Sequence, residues 1–151
     1  MNSPSSPLLT DDPKDPAGYR YWRDDTVRFN DLDPVGHVTS ISFLVLFETA
    51  RILFVRDAGQ ESGGGKVSWM LVGLNASYHA QLQFPGQVRV GTRIKRLGRT
   101  SLTTVQGMFD GDTCVATLET SMVLVDRSVE RGTPLPDGLR QNLTRLSDTG
   151  A

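Results

Sequence analysis

Between Ser40 and Val55 the chain reads SISFLVLFETARILFV, and its apolar residues cover nearly the whole circumference of the helix that this stretch predicts. No Gly or Pro interrupts the run before Gly59, and Thr39 and Ser40 offer hydroxyls for an N-cap. Only narrow polar lines remain: Ser42, Thr49 and Arg56 at seven-residue spacing, and Glu48 with Arg51 at i,i+3, the spacing of an ion pair. A helix that is apolar on almost every side has to be wrapped by other elements. The run is also too short, and too charged at Glu48 and Arg51, to span a bilayer.

What could wrap it follows from the flanks. YRYWRDDTVRFN, residues 19–30, reads as a strand with Val27 and Phe29 alternating against Thr26 and Arg28. After the helix, AGQESGGGK (58–66) is a loop, and it lacks the G-x-x-x-x-G-K-[ST] spacing of a phosphate loop. Residues 67–82 form a long strand with a bend expected at Gly73, and Pro85-Gly86 is a turn. In 87–97 Val88, Val90, Thr92 and Ile94 alternate with Arg89, Gly91, Arg93 and Lys95. Strands 100–110 and 112–127 meet at Asp110-Gly111-Asp112, a hairpin signal. A short helix is expected after Pro136. The fold class is therefore α+β: one curved antiparallel sheet of about five strands around a long central helix. Residues 1–18 are expected to be a flexible leader, 19–143 the domain and 144–151 a flexible tail. Open sheet edges predict pairing into a homodimer, or a dimer of dimers.

Composition excludes several function classes. A net charge of −1 offers no basic field for nucleic acid or a membrane surface. The lone Cys114 rules out an internal disulfide and any multi-cysteine zinc site, and as a mid-strand residue among apolar neighbours it belongs to the core. The Pro-rich, acidic N-terminus lacks the features of a signal peptide, so a cytoplasmic location is expected.

The chemistry concentrates in FNDLDPVGHVTS, residues 29–40. Pro34 biases Asp33 towards an extended backbone, Gly36 permits a positive φ or a close ligand approach, and His37 follows directly. The loop runs into a helix start whose unpaired N–H groups carry partial positive charge. Such amides can polarise a carbonyl oxygen while a carboxylate attacks the carbon or activates a water. With two histidines and no G-x-S-x-G, a hydrolytic triad has no support. A thiolate, whose parent thiol has a pKa of about 8.5, leaves with little help, so this sparse set suits a thioester better than a peptide bond. Two plainer readings stay open: Asp31 and Asp33 as turn and capping residues, and a metal site from Asp31, Asp33 and His37 that lacks an evident fourth ligand. Arg89, Arg93 and Lys95, with Arg96 and Arg99 beyond, form either a solvated strand face or a patch for a carrier's phosphates.

At these residues the chain resembles a known family. VRFNDLDPVGHVTSISFLVLFETAR is similar to the signature of hot-dog-fold acyl-CoA thioesterases of the 4-hydroxybenzoyl-CoA thioesterase type, V-R-[YF]-x-D-x-D-x-x-G-H-V-N-N, an aromatic, then F-E-x-A-R on a helix. The likeness continues through YHAQLQFPGQVRVGTRIKRLGRTSL to a V-x-V-D strand and a P-x-P-x-x-L-R tail, about residues 22–143. The resemblance implies a hot-dog fold and hydrolysis of acyl-CoA, with coenzyme A as part of the substrate and no separate cofactor or metal. It implies that Asp33 is the catalytic carboxylate, Asp31 a turn support, and the backbone amide at or next to Ser40 the polarising group. Gly36 and His37 would shape the pocket mouth, Thr39 and Phe43 would adjoin the acyl group, and Arg89, Arg93, Arg96 and Arg99 are candidates for the coenzyme A phosphates. Thr39-Ser40 stands where the family often has Asn-Asn, and Phe43 where a tyrosine is common. Two rivals follow from the same fold: an enoyl-CoA hydratase, and a non-catalytic acyl-CoA or acyl-carrier binding module.

Overall fold

The computed structural model describes residues 10–59 and 65–151. The leader's first nine residues and residues 60–64 of the loop expected at 58–66 lie outside them. The elements run β1 (Tyr21–Val27), α1 (Ser40–Asp57), β2 (Val67–Tyr78), β3 (Gly86–Leu97), β4 (Ser101–Asp110), β5 (Thr113–Asp126), a two-residue β6 (Arg131–Gly132) and α2 (Asp137–Thr149). Every pairing is antiparallel, and the sheet order is β1-β3-β4-β5-β2, with β6 alongside β5. The chain leaves one edge at β1, crosses the sheet as α1 and returns at the far edge as β2. This is the curved sheet around a helix that the apolar run demanded, a hot-dog fold.

Local chemistry sets several boundaries. β1 ends at Val27, short of the expected Asn30, because the Asp31 carboxylate takes the Arg28 N–H at 2.7 Å and starts a 3-10 turn at Phe29–Asp31. β2 ends at Tyr78 rather than residue 82, where the His79 and Ala80 N–H groups both turn to Val115 O. The bend expected at Gly73 is a shift in the β2–β5 register between Leu71 and Gly73. The β4–β5 hairpin turns at Gly111, with φ of 58°.

Phe43, Leu46, Phe47, Ala50 and Phe54 bury one face of α1 against Val88, Val90, Met108 and Leu118 at one end and Leu102, Met122 and Leu124 at the other. Within one chain, however, the helix is wrapped on that side only: Ile41, Val45 and Ile52 remain exposed, the first by 70%. A single sheet covers a single face, and these residues of the apolar circumference stay open. The buried face also carries a charge. Arg51 is 4% exposed, with Nη1 3.4 Å from both Gln106 Oε1 and Thr120 Oγ1 and Nη2 3.8 Å from Glu48. Gln106 in turn donates to Phe47 O and Thr92 Oγ1 at 3.0 Å. Burial lowers the Arg51 pKa from its ordinary value, because desolvation disfavours the charged form.

Two segments expected to be flexible are packed. Residues 10–18 lie against the sheet face away from α1, where Tyr19, Trp22 and Phe109 make edge-to-face contacts and Tyr19 Oη donates to Pro13 O. That aromatic cluster is the reason for the packing, since it would otherwise face water. The helix expected after Pro136 runs on from Asp137 through Thr149. Leu139, Leu143 and Leu146 make a stripe that docks beside Phe54 and Val55, and Ser147 Oγ accepts from Ile94 N–H at 2.9 Å. Leu143 is fully buried. Leu143→Ala is therefore expected to cost about 2–5 kcal/mol in urea denaturation. A cost below about 1 kcal/mol would mean that α2 is not part of the cooperative core.

Candidate active site

The loop between β1 and α1 is built by its two aspartates. Asp31 closes the base: its Oδ2 accepts from Arg28 N–H and its backbone O from Thr39 N–H at 2.9 Å. Above it, Leu32 and Val38 bridge in antiparallel fashion, and Asp33 N–H bonds His37 O at 2.8 Å. Asp33 Oδ1 accepts from the Val35 and His37 N–H groups, both at 2.9 Å. Gly36 sits at the tip with φ of 88°, a conformation that costs other residues strain. Asp31 thus supports the turn through both its carboxylate and its backbone oxygen. Asp33 is divided: Oδ1 shapes the turn, while Oδ2 faces His37 Nδ1 at 3.9 Å, beyond hydrogen-bond reach.

A cavity of about 220 Å³ opens where this loop meets α1. Its walls are His37, Val38, Ser40 and Phe43 from the loop and helix, and Tyr78, Ala80 and Gln81 from the end of β2 and beyond. The fold therefore gathers His37, Ser40 and Phe43 around one space. Asp33 does not line it and meets it through His37. The sequence reading missed Tyr78 and Gln81 as wall residues. Tyr78 stacks edge-to-face on Phe43 with centroids 5.2 Å apart, and its hydroxyl donates to Ser40 O at 3.0 Å. The only signal for it lay in the strand alternation, which puts Tyr78 on the same face as core-packed Ala76.

The four arginines are not gathered there. The Arg89 guanidinium lies 4.4 Å over the Trp22 ring and 3.6 Å from Asp24. Arg93 donates to Asp11 O at 3.0 Å and packs on Tyr19, and the neighbouring Lys95 pairs with Glu119 at 2.7 Å. Arg93, Lys95 and Glu119 line a larger cavity of about 570 Å³ on the sheet face away from α1. Arg96 and Arg99 are exposed, with no ion partner among the described residues. Gly86 pairs with Val27, beside the loop, and ten residues of β3 separate it from Arg96. That is about 33 Å of extended chain, so neither Arg96 nor Arg99 reaches the loop. Among the described residues, no three His, Cys, Asp or Glu side chains are grouped to hold a metal.

The sequence pattern of the thioesterase-like superfamily matches residues 27–143, which span the loop, the helix and the whole sheet beyond β1. The chain belongs to this superfamily. No curated protein sequence matches it. Among solved structures, the PA5185 protein of Pseudomonas aeruginosa is 27% identical, with a TM-score of 0.80 over 86% of this chain and 93% of its own. A thioesterase of Thermus thermophilus, solved with coenzyme A and zinc, is 26% identical, with a TM-score of 0.74 over 85% of this chain and 95% of its own. A 1,4-dihydroxy-2-naphthoyl-CoA thioesterase of Synechocystis, at 16% identity and a TM-score of 0.76 over 83% and 96%, shares the fold.

In this member of the thioesterase-like superfamily, Thr39 is the N-cap of α1. Its Oγ1 accepts from Ser42 N–H at 3.1 Å and donates to Ser42 Oγ at 3.0 Å. The cap takes up the third amide of the helix and leaves those of Ser40 and Ile41, which have no acceptor inside the helix. Thr39→Ala is expected to cost about 1 kcal/mol in thermal or chemical unfolding, with Thr39→Ser close to the parent. Equal stability of the Ala variant would show that the hydroxyl does not cap.

Proposed function

We propose that this chain hydrolyses acyl-CoA thioesters, as a thioesterase of the 4-hydroxybenzoyl-CoA thioesterase type. One observation carries the reading: Asp33 approaches, through His37, a cavity that the first turn of α1 also lines, where the Thr39 cap leaves the Ser40 and Ile41 amides over. The thioester carbonyl oxygen would lie against the Ser40 and Ile41 amides, where the charge developing on oxygen is stabilised. Asp33, through Oδ2, would take a proton from a water that adds to the carbonyl carbon, or would add to it directly and form a mixed anhydride that water hydrolyses once the thiolate has left. The C–S bond then breaks, and the coenzyme A thiolate departs without needing a strong acid. His37 stands between carboxylate and cavity, where it can orient the water. Val38, Phe43 and Ala80 make the acyl wall apolar, and Gln81 is the one amide on it.

The expected homodimer belongs to this proposal. β2 is an edge strand whose Met70, Leu71, Val72 and Leu74 are exposed, and Ile41, Val45 and Ile52 of α1 are uncovered too. A second copy would cover both and would bring basic residues towards a loop that its own arginines cannot reach. Sedimentation velocity is expected to give twice the chain mass, and Val72→Lys on the edge strand to give the monomer. A parent chain that sediments as a monomer at micromolar concentration would refute the dimer.

A second reading has its own observation. Asp33 spends one oxygen on the turn and does not line the cavity, as a purely structural residue would. The chain would then bind acyl-CoA without cleaving it. A panel of aliphatic and aryl acyl-CoA esters, with thiol release read by a disulfide dye, separates the two readings. The binding module is stabilised by coenzyme A yet frees no thiol. Asp33→Asn isolates the charge, because an Asn oxygen can still accept from Val35 and His37 N–H. It is expected to keep the far-ultraviolet spectrum and to lower kcat by about 100-fold or more. An unchanged rate would remove Asp33 from the mechanism.

A further inference from the structure

Tyr78 is the wall residue that ties the sheet to the first turn of α1. Its phenol donates to Ser40 O at 3.0 Å across 38 residues of sequence, while its ring stands at 89° to Phe43. The side chain is 46% exposed, so its hydroxyl could be served by water, yet it is directed to a carbonyl that a helix already uses. The identity of that carbonyl matters. Ser40 C=O and Ile41 N–H are the two ends of one peptide group. A hydrogen bond to the oxygen draws electron density from the nitrogen and makes the N–H a stronger donor. It also fixes the plane of that peptide against the cavity wall. Thr39 has already claimed the Ser42 amide, so Ile41 N–H is one of the two first-turn amides left for a substrate oxygen.

We propose that Tyr78 is a positioning residue for thioester cleavage, acting through Ser40 C=O to orient the Ser40–Ile41 peptide and sharpen its N–H as a donor to the developing oxyanion. This rests on the hydrolase reading above. It also gives the two halves of the tyrosine separate jobs. The ring holds Phe43 and the apolar wall, which bears on acyl binding and hence on KM. The hydroxyl touches only the peptide carbonyl, which bears on the transition state and hence on kcat.

Tyr78→Phe keeps the ring and deletes the hydroxyl, and Tyr78→Leu deletes both. With any ester that the parent cleaves, Tyr78→Phe is expected to lower kcat about ten-fold with KM within about two-fold. That is less than the loss of a whole oxyanion donor, because the amide stays in place but is detuned. Tyr78→Leu is expected to lower kcat as much and to raise KM as well. In the ligand-free protein, the Ile41 amide signal in a nitrogen–proton correlation spectrum is expected to move in Tyr78→Phe, with its neighbours beyond the first turn of α1 unmoved. A Tyr78→Phe kcat within two-fold of the parent, or a stationary Ile41 signal, overturns this role and leaves the hydrolase reading intact. A parent chain that frees no thiol from any ester overturns the hydrolase reading and this role with it.

Discussion

The structure depends on α1 lying across the concave face of the sheet. Because the helix leaves β1 at one edge and delivers the chain to β2 at the other, both of its ends sit at sheet margins. Its N-terminal turn therefore stays open to a cavity while its middle is fully packed through Phe47 and Phe54. The C-terminal end is anchored separately: Asp57 accepts from Tyr21 Oη and pairs with Arg23, and Asn142 donates to Ala58 O. With one end pinned and the centre close-packed, the first turn cannot drift relative to the loop that precedes it. Rigidity at the catalytic candidate is thus a product of hydrophobic burial two to four turns away.

Hydrogen bonding at that first turn is divided among neighbours with little overlap. Asp31 serves the backbone of Arg28, Asp33 serves Val35 and His37, and Thr39 serves Ser42. Each of these three side chains satisfies an amide that would otherwise be stranded at a strand end or helix start. What remains is one carboxylate oxygen and two first-turn amides. The plain reading of the loop as turn and cap, and the chemical reading, are therefore not rivals. The same aspartate can hold the turn with one oxygen and present the other.

Apolar residues remain on the surface of this chain. Ile41 and Val45 of α1 are exposed, and so are Leu71 and Val72 of the edge strand β2. The basic residues of β3 lie away from the loop. Arg89 and Arg93 are occupied by aromatic rings and by Asp24 and the Asp11 carbonyl, and Arg96 and Arg99 lie at the far end of β3.

By itself the sequence determined what short-range physics can determine. The apolar run from Ser40 dictated a buried helix, alternation dictated β3, Gly73 marked the irregularity in β2, and Gly111 the hairpin. Asp33, Gly36 and His37 were legible as a loop because their constraints act within a few residues. Tertiary structure decided everything that depends on which surfaces meet. It brought Tyr78 to Ser40, set Arg89 on Trp22, folded residues 10–18 over Tyr19, and turned a polar tail into a docked helix through three leucines. It also decided that Asp33 approaches the cavity through His37 instead of lining it. The division has a physical cause: backbone propensity, turns and caps are local energies, whereas sheet order and side-chain contact emerge only when distant apolar faces compete for the same core.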